Sequence, residues 1–179
     1  MVGVIPTLHT KIMGLQWFIN RLEALSNGKI AEFIGEILDE DKAFLIELQK
    51  DQLYAGQNAK GGRLAPSYLN DPFFKTPAAA LKYARFKERL NQRRENSIFG
   101  KKDFEVPNLI VTGTLFYNTL FAQVTDKSLI ISARTSILSK LESKYQDVLG
   151  LNKIAWQFYF KEYKVIERLR LKITTYLKA

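Results

Sequence analysis

The stretch KIAEFIGEILDEDKAFLIELQKDQLY, Lys29 to Tyr54, decides the fold. Ile30, Phe33, Ile34, Ile37, Leu38, Phe44, Leu45, Leu48 and Gln52 fall close to one stripe at steps of three and four. Glu32, Glu36, Glu40, Glu47 and Lys50 take the opposite face. That periodicity predicts an amphipathic helix, because residues three and four apart share a face. At roughly 1.5 Å per residue it would run for about 40 Å, with room for a bend near Leu38-Asp39. A helix with so long an apolar face needs a layer to lie on.

The candidate layer lies later in the chain. Thr114 to Val124 is rich in β-branched and aromatic residues, Thr125-Asp126-Lys127 is a turn, and Ser128 to Ala133 carries Leu129, Ile130 and Ile131. This predicts an antiparallel hairpin. A hairpin alone is marginal in water, so it must pack on the long helix or pair with another subunit's strands.

Working outward, Lys11 to Leu25 shows a second helical stripe, stopped by Ser26-Asn27-Gly28. Ala55 to Pro77 is rich in Gly, Asn and Pro and predicts an extended loop. Its low apolar content suggests that it orders against a partner. Ala78 to Asn91 returns to helix, and Asn96 to Asn108 is another loop. Ile137 to Leu149 reads as a short helix closed by Gly150. Asn152 then caps a last helix running to the end. The expected organisation is an arm over 1–10, a core over 11–151 with the loop 55–77 inside it, and a C-terminal helix over 152–179. The fold class is α+β, a long amphipathic helix packed on a small antiparallel sheet with peripheral N- and C-terminal helices.

Composition narrows the chemistry. The 179 residues predict one domain large enough to bury a core without covalent staples. The absence of cysteine excludes disulfides, thiolate metal sites and cysteine nucleophiles. His9 is the one histidine, so a His-rich metal site and a histidine-based triad have no candidate. The first residues show no apolar core followed by a cleavage site, and no run of about eighteen apolar residues exists, so neither a signal peptide nor a membrane span is expected. Glu36, Asp39, Glu40 and Asp41 form an acidic cluster that reads as a solvated helix face. The run Ala55 to Gly62 lacks the spacing and the Lys-Ser/Thr ending of a phosphate-binding loop. No catalytic residue, no cofactor site and no metal site is assigned, and the expectation is a protein that is not an enzyme.

The charge is the positive signal. Net charge is +9, from 27 Lys and Arg against 18 Asp and Glu. Between Lys75 and Lys102 stand Lys75, Lys82, Arg85, Lys87, Arg89, Arg93, Arg94, Lys101 and Lys102, against Glu88 and Glu95. Tyr83 and Phe86 are interleaved. Cations with aromatics can track a phosphate backbone or meet an acidic protein surface. The aromatic residues want a packing surface. Docking Tyr83, Phe86 and Leu90 on a neighbour would leave Arg85, Arg89 and Arg93 at the rim, which favours an acidic protein over DNA.

The order of segments carries a resemblance. After the long helix comes Gly61-Gly62-Arg63-Leu64-Ala65-Pro66, then Leu109-Ile110-Val111-Thr112-Gly113-Thr114-Leu115, then the strand Leu129 to Ala133, then Leu149-Gly150-Leu151. Over roughly Leu15 to Phe160 this resembles the phage virion-morphogenesis and tail-completion (head–tail connector) proteins. Those show a "G-x-x-L-x-P" run, a basic linker, an "L-x-x-T-G-x-L" motif opening a strand, and an "L-G-L" near the end. Thr135-Ser136-Ile137-Leu138 stands where the family usually has an aromatic-Ala pair and a Gly-rich turn. The resemblance implies a structural virion protein, made and assembled in host cytoplasm, that forms a homo-oligomeric ring at the head–tail junction or tail. Its partners would be portal, neck or tail proteins, with non-specific proximity to DNA and no membrane. The interaction candidates are Lys82, Tyr83, Arg85, Phe86, Arg89, Arg93, Arg94, Thr112 and Gly113. The alternative is a basic nucleic-acid-binding protein unrelated to phage particles.

Overall fold

A computed structural model describes residues 8–90, 97–100, 103–109, 119–125, 128–134 and 138–179, with the backbone alone for 8–15 and 90. The elements are α1 (Leu8–Ala24), α2 (Ile30–Glu40), α3 (Lys42–Tyr54), a 3-10 turn (Tyr68–Asn70), α4 (Pro77–Leu90), β1 (Leu120–Thr125), β2 (Ser128–Ala133), α5 (Leu138–Lys144), α6 (Lys153–Glu162) and α7 (Val165–Lys178). The fold is α+β, with helices packed on a two-stranded antiparallel sheet. Among the described residues no helix is long and apolar enough to cross a membrane.

The N-terminal break falls where the turn residues stand. Leu25–Lys29 continues helically but kinks at Asn27 and at Gly28, whose φ is +114°. Glycine takes that conformation without a Cβ penalty. The long helix is two helices, α2 and α3, separated at Asp41, three residues beyond the expected bend start at Leu38. Its apolar stripe survives the break because both halves face the same layer. Ile37 and Leu45 are fully buried with Leu48, Ala155, Tyr159 and Val165. Leu129 and Ile131 pack against this cluster. Burying a side chain such as Ile37 or Leu45 contributes about 1.5–3 kcal/mol.

The hairpin runs in register from Leu120 opposite Ala133 to Thr125 opposite Ser128. Residues 114–118 of the expected first strand lie outside the described residues. A second cluster, Leu53, Leu64, Ala133, Tyr145 and Val148, joins the end of α3 to the loop, the sheet and α5.

The C-terminal helix departs from the expectation. It is interrupted at Lys164, which has φ +47°. The break lets α6 and α7 take different directions. Phe44 stacks on Tyr163 at 4.2 Å between ring centroids, and α7 turns back along α2. Asn152 caps α6 as expected, its side chain accepting from the Ala155 N–H at 3.1 Å.

The loop 55–77 also differs from the expectation of weak anchoring. Leu64, Tyr68 and Asp71 are buried. Gly56 has φ +70°, and a Cβ there would meet Val106 and the Pro107 carbonyl, the latter at 2.8 Å. The loop is therefore locked against the 103–109 segment.

Candidate interaction surfaces

Helix α4 is built from the loop outward. Pro77 suits the first helical position, where its missing N–H costs nothing. Thr76 Oγ1 accepts from the Ala79 N–H at 3.2 Å. Ala80, Ala84 and Lys87 are buried and form the inner face. Lys87 is therefore no part of an exposed basic surface. Tyr83 is half-buried, with its ring 5.2 Å from Tyr68 and 5.2 Å from Phe74. Burial, then the nearby Asp71 carboxylate, pushes its phenol above the ordinary range. Tyr83 thus packs on this chain's own loop rather than on a neighbour.

The outer face of α4 carries Ala79, Lys82, Phe86 and Arg89, at positions i, i+3, i+7 and i+10. Phe86 is 45% exposed. Lys82, Arg89 and Lys75 make no ion pair with any described residue. Arg85 is engaged: its guanidinium donates to Glu88 at 2.9 Å and lies 4.1 Å from the Phe104 ring centroid. Phe73, in the turn before the helix, is 79% exposed. Of the nine interaction candidates, Lys82, Tyr83, Arg85, Phe86 and Arg89 share this helix. Arg93, Arg94, Thr112 and Gly113 lie outside the described residues.

The acidic cluster is not a simple solvated face. Asp41 sits at the α2–α3 break with a side chain only 10% exposed. It accepts from the Tyr159 hydroxyl at 2.8 Å and from Arg168 at 2.5 Å. Arg168 also donates to Glu40 at 2.6 Å, and Lys172 to Glu36 at 2.7 Å. These bonds clamp α7 onto α2. The Asp41 hydrogen bond, then Glu40, holds the Arg168 guanidinium above its ordinary value despite opposing desolvation. Burial, then the bond to Asp41, raises the Tyr159 phenol. Only Asp39 of the four points elsewhere, pairing with Lys42 at 3.0 Å. Among the described residues no group of three or more His, Asp or Glu is arranged to hold a metal.

The Gly-containing loop turns its amides onto a side chain. Asn58 Oδ1 accepts from the N–H groups of Lys60 and Gly62 at 3.1 and 2.9 Å. Those donors are satisfied internally. Gln49 and Gln52, both fully buried, were hidden among the helix residues. They bond the Val148–Asn152 turn, with Gln52 Nε2 donating to the Gly150 carbonyl and the Asn152 N–H donating to Gln52 Oε1, each at 2.8 Å. Two glutamines at i and i+3 on an apolar face were the one sequence signal of this joint.

A groove of about 410 Å³ opens where α2 meets the end of the hairpin. Ala31, Ile34, Gly35, Leu38, Leu129 and Trp156 line it. Gly35 lies against the end of the hairpin, where a Cβ would be in ordinary contact with the Thr125 carbonyl oxygen at 3.7 Å. Glu32 and Asp39, with side chains 51% and 60% exposed, flank Gly35 along α2. A larger open cleft of about 590 Å³ lies between α2 and α7, walled by Phe33, Leu171 and Tyr176. No family model, no curated protein and no solved structure matches the chain.

Proposed function

We propose that the chain is a structural virion protein of a tailed bacteriophage, a subunit of a ring at the head–tail junction or in the tail. The observation that carries this reading is the open hairpin. Among the described residues the sheet has two strands and no third. The Arg134 N–H donates to the Thr119 carbonyl at 2.8 Å, which fixes which pairs are bonded. By alternation, Leu129, Ile131 and Ala133 turn their backbone groups to the outer edge. Such an edge is a template for a strand of another chain. The motifs from Gly61 to Pro66, Leu109 to Leu115 and Leu149 to Leu151 supply the kind of particle.

The chemistry of the acidic cluster supports a structural role. Asp41, Glu40 and Glu36 are engaged by Tyr159, Arg168 and Lys172, so their charge serves helix docking. A second reading, a basic nucleic-acid-binding protein, is favoured by Lys82 and Arg89, which have no carboxylate partner among the described residues. It would show as strongly salt-dependent binding of the monomer to duplex DNA.

The test is a pair of substitutions at one position. Ile131→Pro removes an outward N–H together with a packed side chain, and Ile131→Ala removes the side chain alone. Sedimentation should show that the alanine variant still assembles and the proline variant does not. Equal assembly by both would remove the strand edge from the account.

A further inference from the structure

We infer that α4 of one copy docks on α2 of the next, with Phe86 seated in the groove between α2 and the hairpin. The inference rests on the ring reading and names the contact that would close it. Lys82, Phe86 and Arg89 stand at i, i+4 and i+7 on α4. Glu32, Gly35 and Asp39 stand at i, i+3 and i+7 on α2. Each charged pair is therefore two helical turns apart, about 10 Å along its axis. The signs are opposite and the spans are equal.

The middle residues also match. On α4 the centre is a ring that projects into solvent. On α2 the centre is Gly35, which has no side chain, beside a groove of about 410 Å³ lined by Ala31, Ile34, Leu38, Leu129 and Trp156. A phenylalanine side chain fits a cavity of that size.

The charges are available for the contact. Lys82 and Arg89 have no carboxylate partner among the described residues. Among the described residues Glu32 and Asp39 pair with Lys29 and Lys42, each three residues away in the chain. Exposed pairs of that kind contribute little and exchange readily. Nucleic acid is the weaker fit, because it offers no apolar side chain to fill the groove on α2.

The two patches differ, and α4 packs on the Tyr68–Asn70 turn whereas α2 packs on α3, α7 and the hairpin. The contact is therefore head to tail. Each copy offers one patch of each kind, and such contacts close into a ring when the rotation allows.

Charge reversal tests this on the full chain. Lys82→Glu with Arg89→Glu makes one variant, and Glu32→Lys with Asp39→Lys makes the other. All four side chains are solvent-facing, and circular dichroism checks that each variant folds. Like charges set against one another should weaken self-association of either variant alone at least roughly tenfold. An equimolar mixture should reassemble, because acidic α4 then meets basic α2 and basic α4 meets acidic α2, giving an alternating oligomer. Wild-type assembly by each variant alone would overturn this interface and leave the ring reading standing. A folded mixture that stays dissociated would overturn it too, and so would variants that lose only single-stranded or duplex DNA binding. A wild-type chain that is monomeric at every concentration would overturn both the inference and the ring reading.

Discussion

At the joint between α3 and the Val148–Asn152 turn, Gln49 and Gln52 are fully buried and their amides are matched. On the outer face of α4, Lys82 and Arg89 are exposed and have no carboxylate partner among the described residues. Both regions set polar groups on a helix in steps of about one turn. In the first the partner is the chain's own backbone, about a hundred residues away in sequence. In the second no described residue supplies the partner. Polar groups that are buried must be satisfied within the fold, because leaving one unmatched costs about 1–3 kcal/mol. Exposed charges carry no such requirement and are free to serve an interface.

The contrast is sharpest under substitution. Gln52→Ala should cost about 2–4 kcal/mol, since it strands both the Gly150 carbonyl and the Asn152 N–H. Urea unfolding measures it, and a loss under about 0.5 kcal/mol would mean the joint is not structural.

A smaller effect is expected in alkali. Burial, then Asp71 and Tyr83, pushes the Tyr145 phenol up to about 12. Its folded value lies above the unfolded value of about 10, so the neutral form is the one favoured by folding. That contribution is complete below about pH 10 and is lost as pH rises toward 12. Tyr145→Phe should flatten the stability profile across that window. An unchanged slope would show that the phenol ionises as easily folded as unfolded.

The smallest effect on folding belongs to α4. Lys82→Glu with Arg89→Glu should move the unfolding free energy by no more than about 0.5 kcal/mol. A larger loss would place these side chains within the fold's own interactions and erase the contrast.

How far the sequence could be read follows the range of each interaction. The stripe from Ile30 to Leu48 was legible because its period is local, and it does face the sheet. The helix break falls at Asp41, slightly beyond the expected bend near Leu38-Asp39, where Asp41 is held by Tyr159 and Arg168, more than a hundred residues away. The stop at Lys164 was invisible, since no glycine or proline marks a left-handed residue there. On α4 the spacing groups Tyr83 and Phe86 on one face, whereas the structure exposes Phe86 and turns Tyr83 inward. The inward turn of Tyr83 and Lys87 was not legible, because it depends on Tyr68 and Phe74 arriving from the loop. The loop itself looked poorly anchored by composition, yet Leu64 and Tyr68 reach the interior. A few well-placed apolar residues hold a segment that is otherwise polar.

The central claim is self-assembly through surfaces the fold leaves open. The measurement that tests it most directly is the native mass of the purified full chain over a range of concentrations. The account predicts one dominant oligomer at an integer multiple of 20.6 kDa, as expected of a closed ring. A mass of 20.6 kDa at every concentration would contradict it.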